Sequence, residues 1–266
     1  MKLTTTKDRA VQYVRAIVHG DSGIGKTTSL RTLPADKTLI AAAERGLVPL
    51  RKSDYPVAII ESWDDVRELV RSCQFEPCLP HLDGRVIRIL AIDSLTEFST
   101  LCMKQIIEVD RPKLIGERTG DKRKVPEKVY EDLMQMEDFN LYRNRMHAML
   151  AALCHLPVHV VCTALTAWHE DKQTGSRLRT PAFPGKLATE AGAHFDLILH
   201  MISTKDAEGK DARAWQTFND GLVIAKDSSG ALDPYEATDW TQVFGKILGN
   251  GNGNDSPPKK QKGGAK

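Results

Sequence analysis

The chain has 266 residues, with 37 Lys and Arg against 35 Asp and Glu for a formal net charge of +2; 41% of residues are hydrophobic and 27% charged. These proportions exclude a disordered or fibrous chain, and near-neutrality argues against a histone-like polybasic coat. The longest apolar stretch, Met149 to Leu165, is broken by His155, Pro157 and His159, the first residues lack the apolar core of a secretory signal, and the five cysteines are scattered. No membrane span is expected, and the thiols fit a cytoplasmic protein.

In chain order, Tyr13–Val18 alternates and predicts a strand running into a glycine-rich turn. A helix starts over Thr27–Leu33. Thr38–Ala43 and Val57–Ile60 are short apolar runs. Ser62 is placed to cap a helix reaching Cys73, with Asp65 at the reciprocal position. Cys73, Cys78 and His81 lack a fourth ligand and read as thiols near a loop. Val86–Ile92 is a fourth apolar run. Lys128–Leu153 has helical spacing through Leu133, Met136, Leu141, Met146 and Leu150. Val158–Cys162 is a fifth strand, Leu197–Ile202 and Leu222–Ala225 are later ones, and Ala212–Phe218 pairs among them. Strands separated by helices predict an α/β fold with a mostly parallel sheet flanked by helices, and antiparallel strands toward the C-terminus. Residues 1–248 form the expected domain. Gly249–Lys266 is rich in Gly, Asn, Pro and Lys, cannot build a core, and is expected to be a disordered basic tail.

The strongest motif is Gly20-Asp21-Ser22-Gly23-Ile24-Gly25-Lys26-Thr27, followed by Thr28. It matches G-x-x-x-x-G-K-[ST] in full, after a predicted strand and before a predicted helix. Small residues let backbone N–H groups turn inward around phosphate oxygens. Lys26 then reaches the terminal phosphates, and the Thr27 hydroxyl ligates Mg²⁺. Asp93 ends the apolar run Ile87–Ile92, where it either holds that Mg²⁺ through water or caps a helix. Glu44 ends the run from Thr38. A carboxylate there either orients water at the γ-phosphate or pairs with Arg45 at the surface.

The order of these strands and motifs resembles the core of RecA-like P-loop ATPases. Glu61-Ser62-Trp63-Asp64-Asp65, Pro184-Gly185-Lys186-Leu187, Phe195-Asp196 and Ala225-Lys226-Asp227-Ser228-Ser229-Gly230 are similar to compact phage members, among them single-strand annealing recombinases of the Sak-four type. The similarity runs from about Val11 to Leu248. It implies ATP and Mg²⁺ as cofactors, Glu44 as the water-orienting carboxylate, and assembly into a ring or filament. RecA itself ends its fifth strand in glutamine; here Thr163 stands at that position, a shorter hydroxyl at the γ-phosphate. Related hexameric ATPases carry Lys-x-Arg-x-Gly late in the core. Here Lys226 is present but Ser228 replaces the arginine, so Lys226 alone is either a finger onto the next subunit's ATP or a strand-end lysine in solvent.

The resemblance also places single-stranded DNA on loops after the fourth and fifth strands. Arg111–Lys128 carries seven basic residues, among them Arg118, Lys122, Arg123 and Lys124, against three acidic ones. Trp168–Lys186 carries Lys172, Arg177 and Arg179 beside Trp168, His169 and Phe183, where either rings stack on bases while cations follow phosphates, or Trp168 and Phe183 pack the loop down. The function this implies is ATP-dependent single-strand binding with annealing or strand exchange, in company with a single-strand-binding protein. A helicase- or packaging-type DNA motor and a non-hydrolysing ATP switch share the same core and are the alternatives. The tail and Arg111–Lys128 are both basic, so the remaining body is acidic.

Overall fold

The structure is a computed structural model that describes residues 13–43, 46–75, 78–79, 84–111, 134–170, 175, 177–206 and 208–249. Its main sheet contains six parallel strands in the order β9 (Leu197–Lys205), β1 (Arg15–Gly20), β7 (His159–Glu170), β6 (Ile89–Asp93), β2 (Thr38–Ala42) and β3 (Val57–Ile59). Antiparallel strands β10 (Asp211–Gln216) and β12 (Tyr235–Ala237) extend it beyond β9, and β11 (Lys226–Asp227) also pairs with β9. A separate two-stranded pairing joins β4 (Cys78–Leu79) to β5 (Arg85–Val86). This is the α/β architecture expected from the alternation of apolar runs and helices.

The central strands are apolar on both faces because both faces are covered. Ile17 of β1 and Leu90 and Ile92 of β6 point into one cluster, while Ala16 and Val18, and Ile89 and Ala91, point into the other. The first cluster is closed by α2 (Trp63–Phe75), α3 (Leu95–Gln105) and α4 (Met136–Cys154), through Trp63, Val66, Phe98, Cys102, Met146 and Leu150. The second is closed by Leu30 and Leu33 after α1 (Lys26–Ser29) and by Trp240 and Val243 of α6 (Trp240–Leu248). A short α5 (Leu187–Glu190) precedes β9. No described helix is long and apolar enough to cross a membrane.

Local signals account for several boundaries. Asp65 N donates to Ser62 Oγ at 3.2 Å and Ser62 N to Asp65 Oδ2 at 2.8 Å, the reciprocal cap expected at the start of α2. Gln135 N donates to Asp138 Oδ2 at 2.8 Å at the start of α4, so the described helix begins at Met136. The earlier part of the expected Lys128–Leu153 helix, residues 128–133, lies outside the described residues, as does the tail after Gly249.

Two expectations are corrected. The fifth strand does not end at Cys162 but continues to Glu170, and Thr166–Glu170 pairs antiparallel with β8 (Arg177–Pro181). Trp168 and His169 therefore sit on a strand, in a hairpin, rather than in a loop after one. Leu222–Ala225 is not a strand. Asp220 Oδ1 accepts from the N–H groups of Leu222 and Val223, and Leu222 O accepts from Arg179 N. With those backbone groups satisfied there, regular pairing resumes only at Lys226.

Candidate functional site

β1 is buried from Ala16 to Gly20 and ends abruptly in the turn 21–25. Gly23 has φ 74° and Gly25 φ 111°, values that side chains with a Cβ rarely adopt. Gly25 caps α1, and the first helical bond runs from Ser29 N to Gly25 O at 3.0 Å. The sequence-predicted residues Gly20 through Thr28 thus form one loop and the first turn after it. The Lys26 ammonium donates to Gly20 O at 2.9 Å and Asp21 O at 2.8 Å, so it lies over the loop, where an anion would compete for its protons.

The loop meets the acidic strand end directly. Thr27 Oγ1 donates to Asp93 Oδ2 at 2.8 Å, and Thr163 Oγ1 donates to Asp93 Oδ1 at 2.5 Å. Both oxygens of this buried carboxylate are therefore oriented by hydroxyls, one from helix α1 and one from the neighbouring parallel strand β7. Asp93 sits here because β7 lies between β1 and β6, and the Asp93–Ser94 peptide, which is cis, turns the chain into α3. Ser94 Oγ caps that helix by accepting from Glu97 N. Thr163 is 1% exposed; it stands behind the carboxylate. A hydroxyl that donates to Asp93 keeps its lone pairs for a cation, and Thr27 and Asp93 together offer the hard oxygen donors that Mg²⁺ takes.

Glu44 lies outside the described residues. Its neighbour Ala43 donates its N–H to the backbone carbonyl of Asp93 at 3.1 Å, which puts the end of β2 level with the end of β6. Lys226 is half-buried and donates to Gly192 O at 3.0 Å. It pairs with Ile198, which is level with Ile17 of β1. That is three residues before Gly20, about 10 Å along the strand from this chain's own loop.

Three residues that the sequence did not single out stand at the loop. His19, fully buried, places Nε2 2.8 Å from Ile224 O and Nδ1 3.0 Å from Thr166 Oγ1. The carbonyl requires a proton on Nε2, which leaves Nδ1 to accept from the threonine. Burial, reinforced by the nearby His200, pushes the His19 pKa down to about 3, so the ring is neutral. His200 is itself buried, its ring 4.7 Å from that of His19, and its pKa is lowered chiefly by burial and then by Arg179. The third is Arg213 of β10: a Cβ placed on Gly25 would lie 3.0 Å from Arg213 Nε and 3.1 Å from its Cδ. Arg213 and Trp215 share one face of an alternating segment, and Trp215 belongs to the second core cluster, but nothing near Arg213 in the sequence points to the loop it covers.

The predicted DNA-binding residues divide. Arg118, Lys122, Arg123, Lys124 and Lys172 lie outside the described residues. Arg111, counted in the first basic segment, is 7% exposed and ion-paired with Asp138 of α4, so it is a packing residue and not part of a free basic loop. Phe183 is 6% exposed and belongs to the core, so it offers no stacking face. Trp168 is 60% exposed. The Arg179 guanidinium lies 4.8 Å from its ring centroid, directly across the β7–β8 pair, and Arg177 is 3.5 Å from Glu170. Leu165 is level with Gly20, so this hairpin continues beyond the end of the sheet that carries the phosphate loop.

Among solved structures the chain is similar to the crystal structure of the RadB recombinase, with 14% identity, 77% of this chain and 87% of that chain covered, and a TM-score of 0.37. It is also similar to the crystal structure of the flagellar accessory protein FlaH from Methanocaldococcus jannaschii, with 8% identity, 80% and 82% covered, and a TM-score of 0.34. No curated protein matches it. A family model described as an AAA domain matches residues 12–229, a span that holds the phosphate loop, Asp93, Thr163, the Trp168 hairpin and Arg213. The chain belongs to that AAA-domain family.

Proposed function

We propose that the protein is a RecA-like ATPase that uses ATP and Mg²⁺ to bind single-stranded DNA and promote annealing or strand exchange. The observation that carries the ATPase reading is the pair of hydroxyl bonds, from Thr27 and Thr163, that aims the Asp93 carboxylate at the phosphate loop. In this reading the N–H groups of residues 23–28 and the Lys26 ammonium bind the phosphates. Thr27 and Asp93 hold Mg²⁺, which supplies charge neutralisation at the terminal phosphates. Thr163 positions Asp93, and Glu44 orients the attacking water. Hydrolysis is slow and DNA-modulated.

The DNA reading is supported by the exposed Trp168 with Arg179 against it, at the same end of the sheet as the loop. Aromatic faces stack on bases without sequence preference, and guanidinium groups follow phosphates. The basic segment over Arg118–Lys124 and Lys172 joins this surface in the proposal. Subunits assemble into a ring or filament, with Lys226 completing a neighbour's site.

The test is one preparation carried through three assays. ATP binding is measured by calorimetry with Mg²⁺, phosphate release with and without single-stranded DNA, and annealing of complementary strands. Lys26→Ala is expected to abolish ATP binding, and ATP affinity unchanged in that variant removes the site assignment. Slow turnover with efficient annealing supports recombination; fast, DNA-stimulated turnover without annealing supports a motor; and binding without phosphate release supports a switch.

A further inference from the structure

We infer that Arg213 is a nucleotide-binding residue acting within its own chain, on the end of the nucleotide remote from the metal. The inference rests on the nucleotide-site reading above. Gly25 must be glycine for its φ of 111° alone, but the Arg213 side chain also fills the place its Cβ would occupy, with Nε at 3.0 Å, Cδ at 3.1 Å and Cζ at 3.4 Å. The guanidinium therefore lies against the residue that opens α1, within one side-chain length of the N–H groups that would surround phosphate.

Sheet register explains how it gets there. Gly20 packs level with Met201 of β9, and Met201 pairs with Trp215. Arg213 pairs with Ser203, two residues farther along β9, and so stands above the level where β1 ends. Trp215 is fully buried in the cluster that contains Leu30, beneath the same face. Alternation then puts Arg213 on that face and over the loop.

The direction of approach assigns its role. Asp93 and Thr163 lie on β6 and β7, on one flank of β1, and mark the metal and terminal phosphates. Arg213 comes from β10, on the opposite flank beyond β9. A nucleotide laid along the loop presents its α-phosphate and nucleoside to that flank. A guanidinium serves both, bonding a phosphate oxygen or lying flat on a base. Among the described residues no carboxylate pairs with Arg213; the nearby Asp211 pairs with Lys205. Its charge is thus uncommitted within the described protein and directed at the loop.

The test uses the full chain and compares ATP with ADP by calorimetry, for the wild type, Arg213→Gln, Arg213→Lys and Lys26→Ala. Both nucleotides carry the α-phosphate and nucleoside; only ATP carries the γ-phosphate. Arg213→Gln is expected to weaken ATP and ADP by the same factor, about tenfold, with Arg213→Lys recovering part of the loss. Because Arg213 is exposed, both variants are expected to melt within a few degrees of wild type. Equal wild-type affinity in Arg213→Gln, or a loss confined to ATP, overturns the inference while a loss in Lys26→Ala leaves the site reading standing. A wild type that binds neither nucleotide removes the site reading itself.

Discussion

Thr163 has a single hydroxyl proton, and it goes to Asp93 Oδ1 at 2.5 Å rather than to Ile92 O at 3.4 Å. The residue is buried against the carboxylate, so its influence on bound phosphate runs through Asp93. Groups that orient a metal's ligand typically change metal affinity by tenfold to a hundredfold when removed. Thr163→Val keeps the shape and deletes the donor. The expected outcome is a rise of about tenfold in the Mg²⁺ concentration needed for half-maximal ATP binding, with metal-free nucleotide binding within twofold of wild type. Thr163→Ser should restore most of the loss. A magnesium titration superimposable on wild type would show that Thr163 is only a packing residue.

At the scale of elements, the β7–β8 hairpin joins the candidate DNA surface to the nucleotide loop. Arg179 O accepts from Ile224 N, Ile224 O accepts from His19, and His19 immediately precedes Gly20. These bonds form a continuous link from the residue before the phosphate loop to Arg179, which pairs across from Trp168. Trp168→Ala should lower single-stranded DNA affinity by about fivefold to 150-fold, the worth of about one to three kcal/mol of base stacking. Trp168→Phe should retain most of it, and ATP affinity without DNA should not move. Fluorescence anisotropy on a labelled oligonucleotide measures this, and unchanged affinity in the alanine variant would remove the hairpin from the interface. The phosphate loop was legible in the sequence because all its parts are contiguous, and the buried strands because apolar runs of that length require cover on both faces. The hairpin was not, because the partner of Thr166–Glu170 begins only at Arg177, across an intervening segment. Arg111 read as one of seven cations in a loop; its partner Asp138 is 27 residues away, and only tertiary packing brings them together. Arg213 was missed for the same reason, since nothing near it in sequence announces the loop it covers.

Across the whole molecule, neutral histidines are built into the sheet at both ends. At the loop end His19 is surrounded by His200, Lys26 and Arg179, and burial holds it neutral down to about pH 3. At the opposite end His159 starts β7, accepts from Val14 N through Nδ1 at 3.0 Å, and packs against Tyr13 and Phe244. Burial, with Arg15 nearby, lowers its pKa to about 4. In the unfolded chain both rings titrate near 6.5. Below that value the unfolded state binds more protons than the folded state, so stability must fall as pH falls. Each such ring contributes a slope of about 1.4 kcal/mol per pH unit, giving about 3 kcal/mol per unit for the two between about pH 6 and 4.5. The effect precedes acid loss at the carboxylates. Glu190, held down to about 2 by its bonds to Arg143 and then His147, contributes stability that is present above its unfolded value and lost only as pH falls below about 4.3. Urea midpoints should therefore be flat between about pH 7 and 8 and drop steeply between 6 and 5. His159→Gln keeps an acceptor for Val14 N and removes one titrating ring far along the strand from the phosphate loop. It should reduce that slope by about 1.4 kcal/mol per unit. A wild-type midpoint that does not change from pH 7.5 to 5, or a slope in His159→Gln equal to wild type, would show that these rings are charged in the folded protein.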